Sequence, residues 1–145
     1  VFNFGLGSIN GSFKVYLSED DENFGGVSFF PKEEGHRSEP YTQCEVKNTN
    51  DVIKQLGINC IDLIKIDTEG AEYDILTSLN KIIIQNISWI TGELHGNRDF
   101  ELLDYLDNLG FSVSFNKLIN NKLFMFSAGK KEIISKLSRK EVRML

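Results

Sequence analysis

The order of apolar and polar positions predicts alternating strands and helices through the middle of the chain. The apolar run over 61–66 predicts a strand buried on both faces, and such strands are typical of parallel sheets. After Gly70, apolar residues recur at helical spacing as far as Leu79 and predict a helix. A second buried strand is predicted over 87–94, followed by a second helix over 100–109. Because strands and helices alternate, the pattern favours a parallel sheet covered by helices.

The first third of the chain has strand patterns and one short helix. A helix is predicted over 51–56, capped by Thr49 or Asn50 and ended by Gly57. Strict alternation of apolar and polar residues marks the clearest strand, and clusters of glycine, proline and charged residues mark loops. The predicted strands span 1–7, 11–18, 27–30 and 43–46, and the predicted loops span 19–26 and 31–40.

The C-terminal part adds an antiparallel feature to this order. Alternating segments over 111–115 and 123–126 surround Asn120-Asn121, and this arrangement predicts a hairpin. The charged segment 130–145 is predicted to be a helix or a tail. The fold class is therefore α/β, with a mostly parallel sheet and a C-terminal antiparallel hairpin.

Length and composition narrow the class of protein. The 145 residues suffice for one domain, and 41% apolar with 26% charged residues is an ordinary globular composition. The formal net charge of −5 argues against nucleic acid and anionic membranes as partners. No apolar run is long enough to span a bilayer, and Cys44 and Cys60 lack the spacing of a metal site. Two reduced thiols are preferred over one disulfide, so we expect a cytoplasmic protein.

Ionisable residues gather where the two buried strands end. Asp67 and Glu69 follow the first strand, and Glu93 and His95 end the second. Ligands of open α/β sheets bind in the crevice at the carboxyl ends of the strands, so these side chains are candidates for chemistry. Lys65 and Asp67 lie two apart on one strand face, where unpaired charges are costly unless they are used. His95 can accept a proton near neutral pH because free imidazole has a pKa of about 6.5.

Three further patterns have simpler interpretations. Glu72 lies in the first turn of a predicted helix, where an acid favours the helix dipole, and this suffices to explain it. The segment Gly5 to Gly11 looks like a phosphate-binding glycine loop, but a strand follows it instead of a helix, so we prefer a turn between strands. The acids and histidine of the two strand ends could bind a hard divalent cation, yet their spacing is not diagnostic, and no metal is predicted.

The segment 61–72, which reads IDLIKIDTEGAE, resembles the signature of the FkbM-type methyltransferases. That family shows an I-D-x-x-K-I-D-x-E-G-x-E pattern on the fourth strand of its fold. Segment 90–95 resembles the next strand of the family, which often ends in an acid and a histidine, and 5–15 resembles the segment after its third strand. The resemblance extends from residue 1 to about residue 127, although only the central motif is specific.

The resemblance implies a Rossmann-like class I methyltransferase fold that uses S-adenosylmethionine. It suggests O-methylation of a hydroxyl group on a sugar or natural product, so the partner would be a small-molecule or glycan acceptor. Asp67 would face the methionine end of the cofactor and the acceptor, while Glu69, Glu72 and Lys65 would line the cofactor pocket. Glu93 or His95 would lie beside that pocket, and His95 or Asp67 would act as the general base.

One departure from the family pattern is large. Families of this type carry a glycine-rich loop after the first strand and an acid after the second that binds the ribose, and neither is present in this sequence. We therefore expect the C-terminal portion of a methyltransferase domain, either a fragment of a longer enzyme or a truncated relative. Two alternatives stay open: a non-catalytic interaction module with the same sheet, and a metal-dependent hydrolase built on the acidic residues.

Overall fold

A computed structural model describes residues 1–17, 27–28, 42–118 and 124–138. The strands are β1 (Gly5–Gly7), β2 (Gly11–Leu17), β3 (Val27–Ser28), β4 (Thr42–Asn48), β5 (Leu63–Ile66), β6 (Trp89–Leu94), β7 (Phe111–Asn116) and β8 (Phe124–Lys130). The helices are α1 (Thr49–Gln55), α2 (Glu72–Ser78), α3 (Lys81–Asn86), α4 (Asp99–Asn108) and α5 (Lys131–Ile134). The predicted loops over 19–26 and 31–40 and the turn at Asn120-Asn121 lie outside the described residues.

The described strands form two four-stranded mixed sheets, with orders β1-β4-β2-β3 and β5-β6-β8-β7. Two pairings, β1 with β4 and β5 with β6, are parallel. The other four are antiparallel. The α/β class is confirmed, but the expectation of a mostly parallel sheet is wrong for these strands. In one sheet β8 of the C-terminal hairpin lies between β6 and β7 and runs against both, and in the other β2 lies between β4 and β3 and runs against both.

The expectation that the first central strand is buried on both faces is also wrong. Among the described strands, β5 pairs only with β6 and therefore forms an edge of its sheet. Leu63 is 58% exposed and Lys65 is exposed, whereas Ile66 is buried. An apolar sequence shows that a strand can be covered, but it does not show which layer covers it.

Helices α2 and α4 pack against each other, and both contribute to one core with the strands β5, β6, β7 and β8. The fully buried apolar side chains of this core are Leu76, Ile84, Ile87, Ile90, Leu94, Leu102, Leu106, Phe111 and Ala128. Ile84 belongs to α3, a helix that the sequence pattern did not predict because it is only six residues long. Asn80 begins this helix by accepting a hydrogen bond from the Ile82 N–H at 2.9 Å.

Most predicted boundaries agree with the structure to within two residues. Helix α1 begins earlier than expected, because Asn48 caps it and accepts hydrogen bonds from the N–H groups of Asn50 and Asp51. Gly57 and Gly110 end α1 and α4 in left-handed conformations, with φ of 65° and 85°. The C-terminal hairpin is confirmed by the antiparallel pairing of β7 and β8. None of the helices in the described part of the chain is long and apolar enough to cross a membrane.

A close backbone approach between β5 and β6 sets the position of the two strand ends. Ile66 of β5 is the partner of Gly92 in β6. A Cβ atom at Gly92 would lie 1.8 Å from the carbonyl oxygen of Ile66, so only glycine fits without a backbone shift. Asp67 and Glu93 directly follow this pair in the two segments, and they therefore lie side by side.

Candidate functional site

Five side chains converge where β5 and β6 end, and we name them the carboxylate–histidine cluster. Its members are Asp67, Glu69, Glu72, Glu93 and His95. Asp67 directly follows β5, Glu69 lies in the turn to α2, and Glu72 is the first residue of α2. Glu93 lies in β6 and His95 directly follows it. Two parallel strands with neighbouring carboxyl ends thus bring together residues up to 28 positions apart, from Asp67 to His95.

The imidazole of His95 lies at the centre of this cluster, and its side chain is 13% exposed. Its Nδ1 is 3.4 Å from Oε1 of Glu72. Its Nε2 is 3.7 Å from Oε2 of Glu69 and 3.8 Å from Oε2 of Glu93. The hydrogen bond with Glu72 and the nearby negative charges raise the pKa of His95, against the opposing effect of burial.

Glu72 has a larger role than the favourable helix-dipole contact that the sequence suggested. Its side chain is 1% exposed, and its Oε1 accepts hydrogen bonds from the Thr68 N–H at 3.0 Å and the Gly70 N–H at 3.1 Å. The Thr68 hydroxyl donates a third hydrogen bond at 3.2 Å. Burial alone would raise the pKa of Glu72, but the hydrogen bonds from His95, Gly70 and Thr68 outweigh it and lower the pKa. Glu72 is therefore an ionised, buried anchor for the turn.

This turn holds Glu69 in an unfavourable backbone conformation. Glu69 has a φ of 52°, and no other non-glycine residue in the described ranges has a positive φ. A left-handed conformation costs such a residue on the order of 1–2 kcal/mol. The hydrogen bonds from Thr68 and Gly70 to Glu72 fix the residues on both sides of Glu69. The strain is thus offset locally, and the Glu69 carboxylate is directed at His95.

Asp99 belongs to the neighbourhood of the cluster, although the sequence did not single it out. It is 6% exposed, and its Oδ1 accepts a hydrogen bond from the Gly96 N–H at 3.0 Å. Burial is the main cause that raises the pKa of Asp99, and the charge of Glu72 adds to it. Asp99 thereby fixes the turn that follows His95. An acid at a helix start is common, so only its burial distinguishes Asp99, and burial is not visible in sequence.

Lys65 is the one predicted site residue that lies outside the cluster. It is exposed on β5 and contributes, with Asp67, to the lining of an apolar cavity of about 570 Å³. The rest of this lining is apolar apart from Thr49 and Thr68, and comes from the N-terminal segment, α1, β5 and α2. The volume is within the range of small-molecule sites.

Two smaller cavities, of about 200 and 270 Å³, are both lined by His95. The first is polar and includes Glu69 and Arg98, and the guanidinium of Arg98 lies 3.6 Å from the centre of the Tyr73 ring. The second is lined by Phe100, Phe124 and Lys117. The cluster is therefore accessible from spaces of different chemical character.

The fold and site together define an α/β protein with a carboxylate–histidine cluster at the carboxyl ends of two parallel strands. The model of the methyltransferase FkbM domain family matches residues 3–113, which is more than half of the chain. The chain therefore belongs to the FkbM methyltransferase domain family, and the family expected from the sequence is confirmed.

Comparison with characterised proteins gives one further similarity. The chain is 34% identical over 82 residues to the AMB antimetabolite synthetase AmbE of Pseudomonas aeruginosa. The aligned region covers 52% of this chain and 4% of AmbE. The chain therefore spans only a small part of the length of this relative. No solved structure matches the chain.

Proposed function

We propose that the chain contributes to S-adenosylmethionine-dependent methyl transfer to a hydroxyl group of a sugar or natural product. The observation that carries this proposal is the position of the cluster in a chain of the FkbM family. Ligand atoms of Asp67, Glu93 and His95 lie within 4.8 Å of one another at the carboxyl ends of β5 and β6. In open α/β sheets this crevice is the usual place for ligands.

The described residues fit one part of the cofactor. The apolar cavity accepts an uncharged portion of a ligand, and the exposed carboxylate of Asp67 at this cavity can accept hydrogen bonds from an ammonium group. Glu69 and Lys65 supply further charges near the same strand end. When bound, the cofactor would supply an electrophilic methyl group on sulfur. The two cavities lined by His95 would then be the space for the acceptor.

Methyl transfer depends mainly on holding two reactants in line, which can contribute about 7–11 kcal/mol. A hydroxyl acceptor also needs a proton acceptor, and His95 and Asp67 are the candidates. Because the hydrogen bond with Glu72 and the nearby carboxylates raise the pKa of His95, its imidazole is mostly neutral, and free to accept a proton, only above that raised value. A base role for His95 therefore requires turnover to increase as the pH rises through this pKa.

The test measures turnover of the protein that contains this chain with a panel of sugar and natural-product alcohols. His95→Gln and Asp67→Asn are compared with Asp104→Asn, which changes an exposed acid on α4. We expect at least one of the first two variants to lose about 10²–10⁴-fold in turnover, as for a general base, and the control to keep it. Unchanged turnover in both site variants would make the assigned base role wrong.

The exposed edge of β5 favours a second candidate, a non-catalytic interaction module with the same sheet. An exposed strand edge with Leu63 at 58% exposure is a surface on which another strand can pair. Calorimetric titration of S-adenosylhomocysteine separates the two functions: the module binds none, alone or within a longer protein.

The free thiols of Cys44 and Cys60 fit a reducing compartment, and we place either function in the cytoplasm.

A further inference from the structure

The carboxylate–histidine cluster holds more negative charge than its own residues compensate. Four carboxylates face one imidazole, so the cluster keeps a formal charge of about −3 even when His95 is protonated. In the ranges that the structure describes, no lysine or arginine forms an ion pair with any of these carboxylates. Partly buried charges of one sign are costly without a counter-charge. The cluster is therefore chemically suited to a cation.

The donor atoms lie at distances that a metal ion can bridge. The Nε2 of His95 and Oε2 of Glu93 are 3.8 Å apart, and donor atoms of Asp67, Glu93 and His95 all lie within 4.8 Å of one another. In an octahedral site with bonds of about 2.1 Å, neighbouring ligand atoms are about 3.0 Å apart and opposite ones about 4.2 Å. Side-chain rotations move the donors by the remaining distance, because Asp67 is exposed and Glu93 is half-buried.

The buried carboxylate of Glu72, which is not one of these three donors, is a second observation at this site. Its Oε1 lies 3.4 Å from Nδ1 of His95, and its Oε2 is buried without a hydrogen-bond partner among the described residues. A metal-bound histidine commonly donates its other ring N–H to a carboxylate, which fixes the ring and makes the ligating nitrogen more basic. Glu72 is placed to do this, and the Nε2 of His95 then faces Glu69 and Glu93, with Asp67 beside them.

We propose that Asp67, Glu93 and His95 form a binding site for a divalent cation, with Mn²⁺ as the best match. Two carboxylates suit Mg²⁺, Ca²⁺ and Mn²⁺, whereas an imidazole suits transition metals, and Mn²⁺ accepts both donor types. Three protein ligands leave positions for water or for an oxygen of an acceptor. The proposal does not depend on methyl transfer, since cation binding can be measured without cofactor.

The cation would change the account of proton removal in the proposed function. With Nε2 of His95 and an oxygen of Asp67 bound to metal, neither residue would be the primary proton acceptor. A bound cation would lower the pKa of a hydroxyl oxygen that it holds, and the proton of that hydroxyl would then pass to bulk water.

The experiment is a titration of Mn²⁺ into the chelator-treated chain, followed by electron paramagnetic resonance. The sharp signal of the aqueous ion weakens when the ion is bound, so bound and free Mn²⁺ are measured directly. We expect saturable binding of one ion per chain. Asp67→Asn and Glu93→Gln should each weaken it at least about tenfold, because each removes a ligand. Asp104→Asn should leave the affinity unchanged.

Circular dichroism of each variant ensures that loss of binding is compared only among folded proteins. If Asp67→Asn or Glu93→Gln unfolds the chain, His95→Gln replaces it, since that change removes the nitrogen ligand. Absence of saturable binding by the folded wild-type chain would overturn the proposal. Equal affinities of the site variants and Asp104→Asn would also overturn it, because they would mean diffuse attraction to an acidic surface.

Discussion

Replacing Glu72 with alanine should destabilise the chain far more than loss of an ordinary surface acid. Its side chain is 1% exposed, and Oε1 accepts two hydrogen bonds from Thr68 and one from Gly70. The same oxygen lies 3.4 Å from the His95 ring. The substitution therefore removes the buried group that links the turn between β5 and α2 to the imidazole.

The expected magnitude follows from these contacts. A hydrogen bond to a charged group contributes about 1.5–3 kcal/mol, but such contributions do not add fully. Removing the buried Oε2, which has no partner among the described residues, offsets part of the loss. Breaking a buried charged pair costs about 3–5 kcal/mol, and we expect Glu72→Ala to lower the free energy of unfolding by about this amount. Glu72→Gln should cost about 1–3 kcal/mol, because its amide oxygen can still accept from Thr68 and Gly70.

Urea unfolding followed by fluorescence of Trp89, the single tryptophan of the chain, measures this effect. With a urea dependence of about 2 kcal/mol per molar, the Glu72→Ala midpoint should fall by about 1.5–2.5 M. Glu132→Gln, a change at an exposed acid of α5, is the matched control and should stay within about 0.5 kcal/mol of wild type. A Glu72→Ala midpoint equal to that of the control would refute the reasoning that Glu72 anchors the turn.

Two further predictions concern the same strand ends. The pKa of His95 in the folded state is raised above the ordinary imidazole value of about 6.5, so the stability from its charged form is fully present below that ordinary value and is lost as the pH rises through the raised pKa. In chelator, the difference in unfolding free energy between wild type and His95→Gln should shrink as the pH rises above about 6.5, and a constant difference would contradict this sign. Gly92→Ala should cost about 2–3 kcal/mol, because its Cβ would lie 1.8 Å from the Ile66 carbonyl oxygen. The control is Ser114→Ala, a change at an exposed position of β7, and the urea midpoint of Gly92→Ala should fall well below that of this control. Equal midpoints would show that β5 and β6 can move apart without cost, against this prediction.

The convergence of Asp67, Glu93 and His95 could be predicted because it depends on local patterns and a general rule. Two apolar runs ended in polar residues, and parallel strands in one sheet bring their carboxyl ends together. The structure adds the register between Ile66 and Gly92, which places Asp67 beside Glu93. A register of this kind depends on contacts between distant segments, and one sequence does not specify it.

The role of Glu72 was underestimated for a related reason. An acid in the first turn of a helix is common, and the helix dipole explains it without any other contact. Only packing shows that Glu72 is buried and that its carboxylate faces His95. Asp99 was missed in the same way, since its hydrogen bond to Gly96 and its burial arise from the folded turn.

The errors in the sheet also arise from long-range pairing. The hairpin of β7 and β8 was predicted from its alternation, but the position of β8 beside β6 was not. Alternation identifies a strand and one buried face, whereas the choice of neighbour depends on the whole sheet. The exposure of Leu63 likewise depends on which layers cover β5.

Calorimetric titration of S-adenosylhomocysteine tests the central claim most directly, namely that the ends of β5 and β6 form part of a methyl-transfer site. The titration uses the chain and any longer protein that contains it, each with Asp67→Ala and with the matched control Asp104→Ala. The account predicts binding in at least one of these proteins, weakened about tenfold or more by Asp67→Ala and unchanged by Asp104→Ala. Binding that is absent from both proteins, or that is indifferent to Asp67→Ala, would contradict it.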